Sequence, residues 1–295
     1  MDQWPQRHLV GGLLFCGGLF IAYGYGGQIG QVAATQELVK VEPDLYVIHN
    51  AIAPGNTTVL LTDDGVVLVD DKFAVDHDAI MAELKKITAK PIQYVINTHH
   101  HADHSGGNVK MQQMNVQVVS SEQARQNMTG TPRDGLFIAS EPGLPNVTFQ
   151  NQLHLYMGSK RVGLYHLGRG HTNGDVVVFF PEDRTLAAGD LFTFGDETPQ
   201  LIDYAGGGSA KEWTQTLDAV LLLDFDTVIP GHGNVTTKQQ LRKFRDRTLA
   251  LRIRVHDMIV QKKSRDEIAA MLRTDFHWIP LLLNRALDGL IAELQ

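Results

Sequence analysis

Apolar residues recur at two periods along the chain, and the switches between them mark the elements. Past residue 37 the period is two: Leu45-Tyr46-Val47-Ile48, then Thr57 to Thr62 and Val66 to Asp70, read as strands, with Asp63-Asp64-Gly65 as a hairpin signal. Ile80, Leu84 and Ile87 then share one helical face, Asp76 is the candidate cap, and Pro91 closes the segment. The unbroken apolar run Ile92–Ile96 predicts a buried strand that feeds a loop over residues 97–107. The second half repeats the theme, with strands predicted at residues 146–150, 161–167, 175–180, 185–188 and 227–229. Ser209-x-x-Glu212 and Ser264-x-x-Glu267 read as capping boxes that open helices. Residues 236–263 predict a long helix whose stripe of Leu241, Phe244, Thr248, Leu251, Val255 and Met258 faces a core, its basic remainder facing water. The tail, residues 279–294, is apolar enough to pack or to dimerise. Periodicity alone therefore gives a mixed α and β chain.

The chemistry sits on the loops after the strands. Residues 97–107 read Asn-Thr-His-His-His-Ala-Asp-His-Ser-Gly-Gly, placing His99, His101, Asp103 and His104 at His-x-His-x-Asp-His spacing. Imidazole and carboxylate are the donors that suit Zn²⁺ and its neighbours. Three more candidates follow in Gly-flanked loops: His171 in Gly-Arg-Gly-His-Thr-Asn-Gly-Asp, Asp190 in Ala-Ala-Gly-Asp and His232 in Pro-Gly-His-Gly.

These four motifs, in this order, resemble those of the metallo-β-lactamase superfamily. The resemblance implies an α+β fold, a four-layer αββα sandwich with the metal site at one edge between two sheets. It also implies that His99, His101 and His171 hold one metal ion, that Asp103, His104 and His232 hold a second, and that Asp190 bridges them. Asp70, at the end of an apolar strand, occupies the place of a carboxylate that orients the metal-binding loop from behind, with Asp71 as the runner-up. His100 is expected to point away from the metals. With His8, His49, His77, His154, His256 and His277 it is read as a solvated surface histidine.

Two divalent cations about 3.5–4 Å apart share a hydroxide, because binding lowers the pKa of water from about 16 to roughly 7. With Zn²⁺ as the expected metal, the implied reaction is attack on an acyl bond of a lactone, ester, thioester or amide, Asp103 and Asp190 being the catalytic carboxylates. A zinc β-lactamase is the specific rival; export favours it, and Asp190 counts against it, because the known zinc β-lactamases lack a bridging carboxylate there. A mononuclear-iron sulfur oxygenase and a non-enzymatic metal-binding protein complete the alternatives, since one fold serves many chemistries. Specificity is expected in residues 123–145 and 192–208, with Phe137, Phe192, Phe194 and Tyr204 as candidates for a hydrophobic mouth.

The 295 residues are 43% hydrophobic and 20% charged, an ordinary globular composition. Because the motifs run from residue 99 to 232, a boundary between them would split the site, so one domain over residues 35–295 is the reading. A net charge of −7 without a basic block argues against nucleic acid and leaves a small-molecule substrate. Residues 9–27 are apolar and uncharged, Arg7 precedes them, and Val32-Ala33-Ala34 offers a cleavage site, so residues 1–34 read as an export signal. The rival is an uncleaved membrane anchor; cleavage leaves a periplasmic or secreted enzyme without Cys16, the sole cysteine. A homodimer through the apolar tail is the remaining partner expectation.

Overall fold

In the computed structural model, residues 35–50, 54–129, 143–195 and 198–295 are described, so the export-signal reading, His8 and Phe137 lie outside the described residues. Strands β1 (Glu37–Glu42), β2 (Leu45–His49), β3 (Thr57–Thr62) and β4 (Gly65–Val69) form an antiparallel meander. Helix α1 (His77–Leu84) leads to β5 (Ile92–Ile96), and α2 (Ala102–Ser105) with α3 (Asn108–Gln113) leads to β6 (Gln117–Ser121). Helix α4 (Glu122–Thr129) precedes β7 (Val147–Phe149). Strands β5, β6 and β7 extend the sheet in parallel, as crossover connections require.

The second sheet contains β8 (Gln152–Met157), β9 (Lys160–Tyr165), β10 (Val177–Phe180) and β11 (Thr185–Ala187). After α5 (Ala210–Leu221) it is completed by β12 (Thr227–Ile229) and β13 (Thr236–Thr237), in the order β13-β12-β11-β10-β9-β8. Three helices follow, α6 (Lys238–Val260), α7 (Arg265–Phe276) and α8 (Pro280–Leu294).

Alternate residues of the central strands enter different cores. Val67 and Val69 of β4 point between the sheets to meet Leu164 of β9 and Val178 and Phe180 of β10. Val66 and Leu68 point outward beneath Ile80 and Leu84 of α1 and Met111 of α3. Val177 and Phe179 of β10 point the other way, under Trp213 and Leu217 of α5, Leu241 and Phe244 of α6, and Leu287 and Leu290 of α8. Strands covered on both faces read as continuous apolar runs, which is how β4 and β10 appear in the sequence. The layers are helix, sheet, sheet, helix: the αββα sandwich of the α+β class.

The expected long-helix stripe is buried in full, and the tail packs as α8 against α5 and α6. Ser264 and Glu267 make both arms of a capping box, whereas Ser209 makes only one, because Glu212 turns away to the Arg169 guanidinium. Asp76 is the N-cap of α1 but makes no side-chain cap bond. The period-two reading does not predict strands β6 and β8, and β13 takes the first two positions of the expected helix over residues 236–263. In β6, Ser120 and Ser121 are polar yet buried, Ser121 donating to Gly174 O at 2.7 Å; β8 is an edge strand with Tyr156 exposed. Among the described residues no helix is long and apolar enough to cross a membrane.

Strand direction places the site. β4 and β5 are parallel neighbours in one sheet, β11 and β12 in the other, so within each pair the carboxyl ends lie side by side. Asp70 follows β4, the histidine loop follows β5, Asp190 follows β11 and His232 follows β12.

Candidate metal centre

Three ring nitrogens converge after β5 and β9. His101 Nδ1 lies 3.0 Å from His99 Nε2 and 3.0 Å from His171 Nε2, and all three residues are buried. What the opposite nitrogens face decides the chemistry. His171 Nδ1 is 2.5 Å from Leu201 O and His101 Nε2 is 2.9 Å from Asp203 Oδ2, acceptors that require N–H on both rings. His99 Nδ1 is 3.1 Å from Thr98 Oγ1, whose own proton goes to Asp70 Oδ2 at 2.8 Å, so this nitrogen too donates. The three inner nitrogens consequently present lone pairs to one another. Burial, then the neighbouring imidazoles, holds His99 and His101 well below the usual histidine range, so protons do not relieve the conflict near neutrality. A cation does.

Beside them lies a group of different character. His232 Nε2 is 3.3 Å from His104 Nε2 and 3.3 Å from Asp103 Oδ2. Asp190 stands between the groups, with Oδ2 3.6 Å from His171 Nε2 and Oδ1 3.3 Å from His104 Nε2 and 3.5 Å from His232 Nε2. Asp190 Oδ1 is buried without a well-aligned hydrogen bond, and it faces the His104 and His232 ring nitrogens, a position suited to a cation. Gly231 makes the approach feasible, since a Cβ there would collide with Asp190 Oδ1 and stand 2.6 Å from Gly189 C. Burial opposes charge throughout this group. The carboxylates of Asp190, Asp103 and Asp70 nevertheless lift His104 well above its usual range, and Asp190 with Asp103 lifts His232 to about 10. Against the same burial, the histidines hold Asp190 well below the carboxylate range and Asp103 below it. Both donor sets suit a divalent ion of the zinc class.

Residues behind the clusters fix them. Asp70, in a left-handed conformation at φ 62°, accepts from Thr98 N at 2.7 Å and meets His104 Nδ1 at 2.7 Å, so it holds one ring and the backbone leading to another. Asp71 instead accepts from Gly107 N at 3.1 Å, at the start of α3. Lys72 is fully buried, and its Nζ donates to Ile48 O, Asn50 Oδ1 and Gly55 O at 2.9, 2.6 and 2.5 Å. Burial pulls this ammonium down to about 7. Gly55 lies flat on the His104 ring, where no Cβ fits. Asn56 Nδ2 donates to Pro230 O and Gly233 O, both at 2.9 Å, clamping the turn that carries His232.

Several sequence expectations change here. His100 is not a solvated histidine: it is buried, its Nε2 3.6 Å from Asp203 Oδ2 and its Nδ1 3.4 Å from Asn127 Nδ2, because the chain at Asp203 and Gly206 folds over it. His77 is buried, while His49 and His154 are half-buried against Asn56 and Tyr165; His256 and His277 are exposed as expected. Phe192 is core, its ring 5.3 Å from Phe244, and so cannot line a mouth, while Phe194 and Tyr204 are partly buried against the same core. The sequence does not mark Asp203, Lys72 or Asn56 as part of the site, since none of them stands in a metal-binding motif.

A family model described as the metallo-beta-lactamase superfamily matches residues 52–232. The metallo-beta-lactamase type 2 of Elizabethkingia meningoseptica is 25% identical over 227 residues, covering 73% of this chain and 87% of that protein. The metallo-beta-lactamase type 2 of Bacillus cereus is 28% identical over 207 residues, covering 67% and 74%. Among solved structures, a metallo-beta-lactamase from Pontibacter korlensis superposes with a TM-score of 0.63 at 22% identity over 73% of this chain and 99% of that one, which shows a shared fold.

Proposed function

Because the chain belongs to the metallo-β-lactamase superfamily and is a metal-dependent hydrolase, we propose that it is an exported dinuclear-zinc enzyme that cleaves an acyl bond of a small-molecule substrate. One observation carries the reading: three imidazoles with tautomers fixed from outside aim lone pairs at one point, and Asp190 offers one oxygen to them and the other to a second ligand group. His99, His101 and His171 would hold the first ion, Asp103, His104 and His232 the second, with Asp190 joining both.

Two divalent cations bound there would supply a water acidified to about neutrality and polarise the acyl oxygen. The chain does the rest. Asp190 sets the spacing of the two groups, and Asp70 and Asp203 hold rings in the tautomers that leave their inner nitrogens free to bind. Asp103, 3.3 Å from His232, is a carboxylate at the second group suited to receive a proton and pass it to the leaving group. Two dications against Asp103 and Asp190 leave an excess positive charge at the site, which favours a developing oxyanion.

A second reading, a zinc β-lactamase, is supported by the similarity to metallo-beta-lactamases, and a β-lactam is itself a cyclic amide within the acyl class. Export is supported by the apolar, uncharged run at residues 9–27 followed by Val32-Ala33-Ala34. A panel of lactones, thioesters, phosphodiesters and β-lactams, run with elemental analysis of the same preparation, tests the proposal. Two zinc ions per chain with acyl turnover abolished by chelator is expected. One tightly held iron, or turnover confined to phosphodiesters, overturns it.

A further inference from the structure

The acceptors that fix two of the inner histidines lie two positions apart on one irregular segment: Leu201 O faces His171 and Asp203 faces His101. On its inner side this segment is held by backbone bonds, Asp203 N to His171 O, Asn173 N to Gly206 O and Ser209 N to Gly170 O, each 2.9 Å. On its outer side it meets α8, and one carboxylate takes most of the contact. Glu293 Oε2 accepts from Tyr204 Oη at 2.8 Å and from Ala210 N at 3.0 Å, while Oε1 accepts from Ser209 Oγ. One helical turn earlier on the same face, Gly289 lies against the Tyr204 ring, and a Cβ there would stand 2.6 Å from Cδ2 and 2.7 Å from Cγ. The carboxylate also sits at the N-terminus of α5, where the helix dipole favours negative charge. Tyr204 directly follows Asp203, so a backbone shift at Tyr204 out of this grip would displace Asp203 as well. The grip comes from outside the matched family region, which ends at residue 232.

We infer that Glu293, with Gly289 beneath the Tyr204 ring, is a positioning group for the first metal cluster: the last helix of the chain holds residues 201–204 so that Leu201 O and Asp203 keep His171 and His101 in metal-binding tautomers. The inference rests on the metal-centre reading above. It makes the C-terminal helix part of the site's machinery in addition to a lid on the second sheet.

The test measures zinc affinity by competition with a chromophoric chelator, together with the visible spectrum of the cobalt(II)-loaded protein, in Asp203→Asn, Glu293→Gln, Tyr204→Phe and Leu290→Ala. Asp203→Asn is expected to weaken zinc binding about 10- to 100-fold. Glu293→Gln and Tyr204→Phe, one step further out, are expected to weaken it about three- to tenfold, with shifted cobalt bands and little added loss when combined with Asp203→Asn. Tyr204→Phe removes a single hydroxyl and keeps the test open if Glu293→Gln does not fold. Leu290→Ala, a core truncation in the same helix, is expected to lower the melting temperature while the folded protein binds zinc as the parent does. Parental affinity in Glu293→Gln and Tyr204→Phe, alongside a weakened Asp203→Asn, overturns the inference and leaves the metal-centre reading standing. An equal loss in Leu290→Ala overturns it as general destabilisation. A parent protein that takes up no zinc overturns the underlying reading instead.

Discussion

The two ligand groups share Asp190 and lie side by side, yet they are balanced in different ways. His99, His101 and His171 are buried, and their outer nitrogens are committed to Thr98, Asp203 and Leu201, so the inner nitrogens are turned toward one point. His104 and His232 sit among Asp70, Asp103 and Asp190, and in the absence of a cation those carboxylates hold protons on both rings. The first group is therefore built to receive an ion without rearranging its protons. The second must exchange protons for its ion. Asp190 belongs to both, which makes it the residue through which the two occupancies are coupled.

The largest effect is expected at that shared carboxylate. Asp190→Ala should lower kcat/KM on whichever acyl substrate is turned over by on the order of 100- to 1,000-fold, the scale seen when one preorganised charge-stabilising group is removed. The sandwich cores do not include Asp190, so the melting temperature should move little by comparison. Near-normal turnover would show that the groups work independently and that Asp190 joins nothing.

The protons give the next largest contrast. His232 is lifted to about 10 and His104 well above its usual range, so each carries a proton at neutral pH that must leave when the second ion binds. Affinity at this group then rises with pH, by up to about 100-fold per unit where both protons are displaced, and levels off above the pKa values of the metal-free site. His99 and His101 are depressed below the ordinary value, carry no proton near neutrality, and give an affinity that is flat there and falls only in acid. Zinc content measured after dialysis between about pH 6 and 9 should show the second ion leaving first as pH falls. Loss of both ions over the same interval would erase the distinction.

How much of this was legible in the sequence depends on distance along the chain. Seven candidate ligands stand in short motifs just after apolar strands, and the structure gathers all seven into adjoining groups because parallel neighbours bring their carboxyl ends together. Asp70 was legible as a carboxylate at a strand end. Asp203 was not, for its partner His101 is 102 positions away and nothing local marks it as buried. His100 misled for the same reason: alternation along residues 99–104 correctly separates it from the ligand nitrogens, but the segment that covers it comes from residues 203–206. Strand β10 begins at Val177 and not at residue 175 because Asp175 is occupied as an acceptor for Thr172 N, closing the turn after His171. Glu212 reads as a capping partner by spacing, but Arg169, 43 positions away, takes it. For His100 and Glu212 a distant partner overrides a sound local signal, whereas at Asp175 a local turn shortens the strand.

Asp70→Asn separates the groups from behind. The carboxylate meets His104 directly and reaches His99 only through Thr98, so the amide should weaken the second ion more than the first, by about 10- to 100-fold. Stepwise zinc titration followed by tryptophan fluorescence or calorimetry resolves the two constants. Equal losses at both would mean that Asp70 acts through the backbone at Thr98 N and not through the His104 ring.

The smallest expected effect lies at Asn56, and it sharpens the comparison because it touches only one side. Its amide nitrogen donates to Pro230 O and Gly233 O around the His232 turn, and its backbone N donates to Gly231 O at 2.7 Å, while none of its hydrogen bonds reaches the three-histidine group. In Asn56→Ala the backbone bond persists and the two carbonyls lose their side-chain donor. The stability cost should be about 1–3 kcal/mol, the usual penalty for stranding buried acceptors. Loosening the turn should weaken the second ion about three- to tenfold, at or below the low end for outer contacts, and leave the first unchanged. Paired with Glu293→Gln, which is expected to act on the first ion alone, it makes a complementary set: each variant should move one binding constant and spare the other. If Asn56→Ala weakens both ions to the same degree, the turn at His232 and the histidine loop move as one body, and the two groups are not separable.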